Sequence, residues 1–300
     1  MRWSNIAKPM ADDALPPLRD VINRHGLRAD KKFGQNFILD LNVTRRIARQ
    51  AMVTGELTDC DIIEVGPGPG GLTRGLLMEG ARRVHVIEAD ARFIPALEEI
   101  AAAYPDRLNI IEGDALAIAP AQVTQAPYRI VSNLPYNIGT ALLTQWLDGG
   151  WQDGKWQPNF LSMTLMFQKE VAQRITAAPG EKHYGRLAVL ANWLCDTELA
   201  FEVDPQVFVP PPKVTSAIAQ LTPRAAPAAQ ADPTVLAKLT AAAFGQRRKM
   251  LRAALKQICS DPSALLAEAG IDETARAEVL GIEDFCALAR LLASREGGNQ

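Results

Sequence analysis

A short strand-like run that ends in a cluster of glycines constrains the fold of this 300-residue chain more than any other feature. The run is Asp61-Ile-Ile-Glu-Val65, in which three of five residues are apolar and β-branched as in an inner strand, and the glycines follow as Gly66-Pro-Gly68-Pro-Gly70-Gly71. Helical spacing begins at Leu72. Glycines at such a junction let the backbone approach a ligand, and the first turn of a helix presents free N–H groups. This order predicts an α/β fold with a ligand site at the strand ends, although the match to G-x-G-x-x-G does not separate NAD from other nucleoside ligands.

The chain has two regions with different patterns. Up to about residue 222, short β-rich runs alternate with longer helical stretches, which is typical of a mostly parallel sheet. We predict seven strands in that sheet, at 61–65, 83–88, 108–112, 129–132, 160–167, 197–203 and 214–222. The Pro/Ala segment 223–233 predicts a linker, and residues 234–300 have the spacing of a small all-α domain. Residues 1–27 are expected to be a flexible N-terminal extension, so the first domain spans 28–222.

Composition excludes several classes of protein. With 48% hydrophobic and 22% charged residues, the chain is neither disordered nor fibrous. The longest stretch without a charged side chain, Ile130 to Leu147, contains Ser, Asn, Pro and Gln, so we expect no membrane span. The segment from Met1 to Leu18 has no apolar core of a signal peptide, which favours the cytoplasm. Four scattered cysteines, at 60, 195, 259 and 286, fit neither a metal pair nor a disulfide framework and predict buried thiols.

Positive charge is concentrated in two windows of a chain whose net charge is −2. Residues 19–49 hold eight Lys and Arg against three Asp, and residues 244–256 hold five bases and no acid. Each window has a balance of +5, which leaves −12 for the rest of the chain. The bases of the second window are Arg247, Arg248, Lys249, Arg252 and Lys256. Such segregation favours binding to a phosphate backbone, with a solvated helix face as the alternative.

The second window also has helical spacing, and we predict one helix that includes Phe244 to Leu255. Bases recur along it every four residues, and an apolar strip runs beside them. The basic ridge consists of Arg248, Arg252 and Lys256, and the strip of Leu251, Leu255 and Ile258. One side of the helix would then face phosphate and the other would dock on the protein.

Two carboxylates follow the next two strands of the predicted sheet. Glu88 ends the second strand, where a carboxylate can accept both hydroxyls of a ribose, and Asp114 follows the third, where it can accept an adenine amine. Because ligands of open α/β sheets bind at the carboxyl ends of the strands, these side chains should converge with Gly66 and Asn133 on one crevice. For either carboxylate alone, a helix cap or a turn is the alternative role.

The tetrapeptide after the fourth strand, Asn133-Leu134-Pro135-Tyr136, indicates the chemistry. An exocyclic amine of a nucleobase is a poor nucleophile because its lone pair is delocalised into the ring. The side-chain oxygen of Asn133 and the carbonyl of Leu134 can each accept one amine hydrogen, which draws the nitrogen towards tetrahedral geometry. Pro135 fixes the backbone without a competing donor, and Tyr136 can stack on the base. An ordinary strand-to-turn exit is the alternative.

Four segments, in this order, resemble the ribosomal RNA adenine dimethyltransferases. They are Lys32-Phe-Gly-Gln-Asn-Phe-Ile38, Glu64-Val-Gly-Pro-Gly68, Asn133-Leu-Pro-Tyr136 and Phe208-Val-Pro-Pro-Pro-Lys-Val-Thr-Ser216. The resemblance runs from about Ala29 to the C-terminal helices and is closest to the bacterial small-subunit branch. It implies a Rossmann-like, S-adenosylmethionine-dependent methyltransferase that dimethylates two adjacent adenines in a hairpin near the 3′ end of small-subunit RNA. It also implies the small ribosomal subunit and its RNA as partners, and neither a metal nor a covalent intermediate; we expect a monomer.

The resemblance assigns roles to individual residues. It places Asn36 and Ile38 against the methionine end of the cofactor and Gly66 beneath it. Glu88 would hold the ribose and Asp114 the adenine. Asn133 would lie between cofactor and substrate. The target base must leave its stack to reach such a pocket, and Tyr136 and Phe208 would lie on its two faces, with a plain core role as the alternative for Phe208. The segment 244–256 resembles the RNA-contacting segment of the family, which makes 234–300 an RNA-binding domain.

Three other functions stay open from the sequence. An NAD-dependent oxidoreductase would use the glycine loop but leaves the tetrapeptide and the basic windows unexplained. A non-catalytic RNA assembly or transcription factor of the same fold is disfavoured by the intact Asn133 and Glu88. A large-subunit RNA methyltransferase of the resistance type shares the motifs, and only Leu134 and Arg247-Arg248-Lys249 favour the small subunit. The extension at 1–27 and an insertion at 151–158 depart from the family and are expected not to touch the site.

Overall fold

The strand before the glycine junction lies inside a large sheet. The computed structural model describes residues 15–29 and 35–297, so most of the predicted extension and the bases Lys31 and Lys32 lie outside the described residues. The helices are α1 (Leu18–Arg24), α2 (Leu41–Ala51), α3 (Gly71–Met78), α4 (Ile94–Ala103), α5 (Pro120–Val123), α6 (Gly139–Asp148), α7 (Lys169–Thr176), α8 (Arg186–Leu194), α9 (Pro233–Gly245), α10 (Leu251–Ala254), α11 (Pro262–Glu268) and α12 (Ile282–Gly297). The strands are β1 (Phe37–Ile38), β2 (Asp61–Val65), β3 (Arg83–Glu88), β4 (Leu108–Glu112), β5 (Tyr128–Asn133), β6 (Trp151–Gln152), β7 (Lys155–Trp156), β8 (Phe160–Gln168), β9 (Cys195–Val203), β10 (Phe208–Val209) and β11 (Ser216–Pro223).

Seven of these strands form one sheet in the order β4-β3-β2-β5-β8-β11-β9, which confirms the predicted set. Each predicted boundary lies within two residues of the observed one. The pairs β2–β3, β3–β4, β2–β5 and β5–β8 are parallel. All of β2 is buried, including its acids Asp61 and Glu64, as expected for an inner parallel strand. The chain builds β3 and β4 on one side of β2 and β5 on the other, and this reversal of order is where an open α/β sheet has its ligand crevice.

The N-terminal segment is folded, and its predicted flexibility is wrong for residues 15–27. Helix α1 buries Leu18 and Val21, and the Arg74 guanidinium donates to the Pro16 carbonyl at 2.8 Å. Near the end of the segment, the His25 ring and a Glu99 carboxylate oxygen lie 2.6 Å apart. A Cβ added to Gly71 would lie 3.1 Å from Leu18, so the segment contacts the glycine junction. Apolar spacing inside the supposed tail was the signal that the prediction missed.

The chain divides into two compact units at places that differ from the predicted boundary. One unit comprises residues up to 153, 157–169 and 200–220, and the other comprises 154–156, 170–199 and the chain from 221 onward. The segment 223–233 is attached to α8 within the second unit, since Trp193 Nε1 donates to the Ala229 carbonyl (2.7 Å) and Ala228 N to the Trp193 carbonyl (2.8 Å). These bonds, which residue spacing does not show, join α8 to the segment before the C-terminal helices, and residues 170–176 of α7 belong to the same unit.

The second unit contains the C-terminal helices. Asp232 begins α9 by accepting a hydrogen bond from Val235 N (2.9 Å), and Pro233 occupies the first helical position, where its missing N–H is not needed. Between 234 and 297 the structure has no strand, as predicted. Across the described ranges, no helix is both long enough and apolar enough to cross a membrane.

Candidate active site

A cavity of about 390 Å³ lies at the carboxyl ends of β2, β3 and β5, within the range of small-molecule sites. Its wall includes all six residues predicted to bind the cofactor, namely Asn36, Ile38, Gly66, Glu88, Asp114 and Asn133. Leu134, Pro135 and Tyr136 also line it. The fold therefore brings together residues that lie up to 100 positions apart in the chain.

Glycine is required where the backbone segments of the wall meet. Gly66 has a φ of +66°, and a Cβ there would lie 3.4 Å from the Pro135 ring. At Gly71 an added Cβ would lie 2.4 Å from the Ile38 carbonyl oxygen, which cannot move without shifting β1. The positive φ therefore favours glycine at position 66, and the close approach of β1 requires it at position 71.

Glu88 is held rigidly at the end of β3. It is buried, with one carboxylate oxygen accepting from Gly68 N (3.0 Å) and the other from Asp90 N (2.9 Å). Burial raises the pKa of this carboxyl, and the two backbone hydrogen bonds offset part of that effect. Each oxygen keeps a further lone pair, so the pair of oxygens can accept two ligand hydroxyls at fixed positions.

Asp114 forms a turn at the edge of the cavity. Its Oδ1 accepts a hydrogen bond from Leu116 N (2.9 Å), which is a turn of the kind that aspartate commonly makes. The residue is exposed and lines the cavity, so the turn directs the carboxylate while Oδ2 can meet a ligand donor.

The Asn133 amide is oriented by the backbone of residue 36. Its Nδ2 donates to the Asn36 carbonyl at 3.3 Å. Because a carbonyl can only accept, the amide nitrogen must face it, and Oδ1 is left as the acceptor on the cavity wall. The next turn is fixed as well, since the Pro135 carbonyl accepts from Ile138 N and Gly139 N at the start of α6 (3.2 and 3.0 Å).

Tyr136 is the aromatic side chain that the tetrapeptide presents to the cavity. Its hydroxyl is hydrogen-bonded to the buried Ser216 hydroxyl at 2.6 Å. Burial raises the pKa of Tyr136, and the bond to Ser216 partly opposes this, so the ring stays neutral at physiological pH. The contact holds the ring in one position, which suits a stacking surface.

Phe208 is not part of the cavity wall in this structure, which corrects its predicted place on a base face. The side chain is 1% exposed and belongs to the core cluster that also contains Ile38 and Val203. Its backbone pairs with Ile38 across β1 and β10, and this register directs the ring inward. The structure therefore supports the core role of Phe208 and not the predicted contact with the target base.

Glu64 is a wall residue that belongs to the Glu64–Gly68 motif but was not predicted to have a role. It is 1% exposed and lines the cavity two residues before Gly66. Burial raises the pKa of Glu64 to about 8; a hydrogen bond from the Thr73 hydroxyl (2.7 Å) opposes the rise and the charge of Glu88 adds to it. An acid between the apolar residues Ile63 and Val65 was the available signal, because glutamate is almost never fully buried unless it has a partner.

The predicted basic helix is wrong. Helix α9 ends at Gly245 and α10 begins at Leu251, so Arg248 lies in the connecting turn and Arg252 and Lys256 lie beyond it. A contact from another segment accompanies the break, since the N–H of the buried Leu251 donates to the Ala275 carbonyl at 2.8 Å instead of to the carbonyl four residues earlier, as a continuous helix requires. The repeat of four residues therefore does not form a ridge.

The five bases of this segment are nevertheless all exposed. Arg247 contacts Glu278 (3.2 Å) and the Lys182 carbonyl, and Arg252 contacts Glu273 (2.8 Å). These acids come from other segments, so the local charge is lower than the balance of +5. In the first window, Arg45 and Arg49 likewise share Glu79 (2.6 and 2.9 Å).

Metal-binding side chains do not cluster in the described part of the chain, where no group of three or more His, Cys, Asp or Glu could hold an ion. Of the four free cysteines, Cys60, Cys195 and Cys286 are buried, as predicted, and Cys259 is half-buried.

Comparison with known proteins decides the family. A family model described as "Ribosomal RNA adenine dimethylase" matches residues 26–294. The chain belongs to the ribosomal RNA adenine dimethylase family. This membership removes the nicotinamide-dependent oxidoreductase from the functions left open and identifies the protein as a member of an enzyme family that modifies RNA.

Relatives and solved structures agree with the family. Ribosomal RNA small subunit methyltransferase A of Paracoccus denitrificans (strain Pd 1222) is 60% identical over 284 residues, covering 95% of this chain and 98% of the relative. The protein of the same name from Roseobacter denitrificans is 56% identical over 282 residues, covering 94% and 98%. A dimethyladenosine transferase from Plasmodium falciparum has the same fold, with a TM-score of 0.70, 24% identity and coverage of 86% and 97%. The 23S rRNA methyltransferase ErmE has a TM-score of 0.64, 27% identity and coverage of 86% and 100%.

Proposed function

We propose that this protein transfers methyl groups from S-adenosylmethionine to the exocyclic amines of two adjacent adenines near the 3′ end of small-subunit ribosomal RNA. One observation carries the proposal. The Asn133 amide is fixed by the Asn36 carbonyl so that Oδ1 is the acceptor in the same cavity that holds Glu88 and the glycine junction. That combination suits a nucleobase amine beside a nucleoside cofactor.

The cavity residues fit such a cofactor. The buried Glu88 carboxylate is already held by two backbone donors and can take both ribose hydroxyls, with Asp114 positioned for an adenine amine. Asn36 and Ile38 would line the methionine end, above Gly66. When bound, S-adenosylmethionine supplies an electrophilic methyl group on sulfur. The buried wall residues and the close backbone approach at the glycines would exclude water from the side of the cavity where the methyl group lies.

The tetrapeptide would prepare the nucleophile. Asn133 Oδ1 and the Leu134 carbonyl accept the two amine hydrogens, so that the lone pair of the nitrogen points along the line of displacement. Tyr136 supports one face of the extruded base. An in-line displacement needs mainly alignment of the two reacting atoms, and the rigid contacts of Asn133 and Tyr136 provide it.

The small-subunit target rests on the relatives, which bear that name and are 56–60% identical over nearly their whole length. A large-subunit target is the second candidate, because ErmE, a 23S rRNA methyltransferase, shares the fold at 27% identity. A non-catalytic factor is disfavoured by the intact geometry of Asn133 and Glu88. We further propose that the protein acts as a cytoplasmic monomer in ribosome biogenesis. The exposed bases of 247–256 would contact the RNA backbone.

A methyl-transfer assay with labelled S-adenosylmethionine tests the proposed function. We expect label on under-methylated small subunits, and Asn133→Ala should lower turnover by at least about 100-fold, because a positioned acceptor contributes on that scale. Calorimetry should show that the variant still binds the cofactor. Asn42→Ala, at an exposed asparagine outside the cavity wall, is the matched control. Label found only on large-subunit RNA, or full activity of Asn133→Ala, would contradict the proposal.

A further inference from the structure

The segment Phe208–Ser216, here called the proline loop, is attached to the cavity wall at both ends. At its start, β10 pairs antiparallel with β1, with Val209 opposite Phe37. At its other end, the Ser216 hydroxyl is bonded to the Tyr136 hydroxyl at 2.6 Å. Phe37 and Tyr136 both line the cavity. The position of the loop relative to the site is therefore fixed by two contacts that are far apart in the chain.

The loop presents apolar side chains to solvent at the edge of the site. Successive residues of a strand point to opposite faces, so Phe208 enters the core and Val209 lies on the other face, beside its partner Phe37. Val209 is 45% exposed and Val214 is 44% exposed. They are two of the seven large apolar side chains that are exposed in the described residues, and both fall in this one loop.

The chemistry of the loop is unusual for a surface that reads bases. Three consecutive prolines offer no N–H donors, and the valine side chains have no polar atom. The prolines and the two valine side chains therefore present shape and apolar surface rather than side-chain hydrogen bonds to base edges. Lys213, exposed between the two valines, adds one positive charge.

We propose that Val209 and Val214 contact the nucleotides that flank the target adenine, with Lys213 at a neighbouring phosphate, and so hold the stack open while the adenine occupies the cavity. This inference rests on the proposed function. Extruding a base leaves the apolar faces of its neighbours without a partner, and aliphatic side chains fill such gaps in nucleic-acid complexes. A lysine beside them suits the phosphate backbone.

Two adjacent targets make an apolar contact useful. When the first adenine is in the cavity, its neighbour is an unmodified adenine; when the second is there, its neighbour is the dimethylated product, which has lost both amine donors. A contact that accepts a hydrogen bond from the amine would work for only one of these states. An aliphatic surface accepts both, and the added methyl groups increase the apolar area that it can bury.

The test uses the full-length protein and under-methylated small subunits. Val209→Ser and Val214→Ser should each raise KM for the particle about fivefold and together about 20-fold, since about half of each side chain is available for burial. The turnover number and the affinity for S-adenosylmethionine should change by less than twofold. Val209→Ile with Val214→Ile should keep a wild-type KM. Val53→Ser, at a 67% exposed valine outside the cavity wall, is the matched control.

Acylation of ribose 2′-hydroxyls in the complex locates the contact. We expect the flanking nucleotides to be constrained by the wild type and to become more reactive with the double serine variant. A KM equal to that of Val53→Ser would overturn the inference and leave the proposed function intact. A raised KM with unchanged reactivity would place the valines against a ribosomal protein and would also overturn it. A wild type that labels no small-subunit RNA would end both proposals.

Discussion

Replacing Glu64 by glutamine tests whether burial at the end of β2 controls the charge of the cavity wall. The Glu64 carboxyl is 1% exposed, and burial, with the charge of Glu88 and against the hydrogen bond from Thr73, raises its pKa from the ordinary 4.5 to about 8. Between these two values the folded chain holds a proton that the unfolded chain has released. The free energy of unfolding contributed by Glu64 must therefore fall as the pH rises from 4.5 to 8.

The size of the effect follows from the two pKa values. At about 1.4 kcal/mol for each pH unit, the loss of stability amounts to about 5 kcal/mol above pH 8 and is absent below pH 4.5. Glutamine is uncharged throughout, fills nearly the same space and keeps an oxygen for the Thr73 hydroxyl. We therefore expect Glu64→Gln to be within about 1 kcal/mol of the wild type near pH 5 and several kcal/mol more stable near pH 9.

Urea unfolding from about pH 5 to about pH 9 measures this difference. Carboxyls that do not interact with Glu64 contribute equally to both curves and cancel when the two proteins are compared. Glu88 does interact with Glu64, so the difference between the curves also contains their mutual charge effect. Glu56→Gln, which removes an exposed carboxylate shortly before β2, should follow the wild type at every pH. Parallel curves for wild type and Glu64→Gln would refute the reasoning, because Glu64 would then ionise at the same pH in both states.

Two further substitutions test the wall and the basic segment. Gly71→Ala places a Cβ 2.4 Å from the Ile38 carbonyl oxygen, so β1 must shift, and calorimetry should show the affinity for S-adenosylmethionine reduced by more than about tenfold. Gly185→Ala, where nothing lies within 4 Å of the added Cβ, should bind normally, and equal affinities of the two variants would contradict the packing argument. Arg248→Glu should weaken binding to the particle and reduce the slope of log K against log salt by about one or two, with cofactor affinity unchanged. An unaltered salt slope would exclude Arg248 from the phosphate contact.

Local sequence signals were sufficient for the sheet and for most of the cavity. The alternation of apolar runs with helical stretches predicted seven strands, and all seven occur in one sheet. Gly66, Glu88, Asp114 and Asn133 each stand at or just after the end of a predicted strand. Parallel strands have their carboxyl ends at one edge of the sheet, so the convergence of these residues followed from topology alone.

Tertiary structure decided which side of a segment faces the site. Phe208 and Val209 are adjacent, and the register of β10 on β1 alone sends the phenylalanine into the core and the valine to the surface. A shift of one residue would exchange them, and no property of the nine-residue motif specifies the register.

Long-range contacts also decided where helices end and how much charge remains free. The spacing of 244–256 is helical, but the helix is interrupted at residues 246–250, where the Leu251 N–H bonds to the Ala275 carbonyl, and the predicted ridge does not form. A charge balance taken along the chain likewise omits Glu79 and Glu278, which reach the bases from other segments. The sequence by itself determined the elements and the chemistry at the strand ends, because those depend on neighbours along the chain. The side of a segment that faces the core, the ends of the helices and the net local charge depend on neighbours in space. Those neighbours exist only in the folded chain.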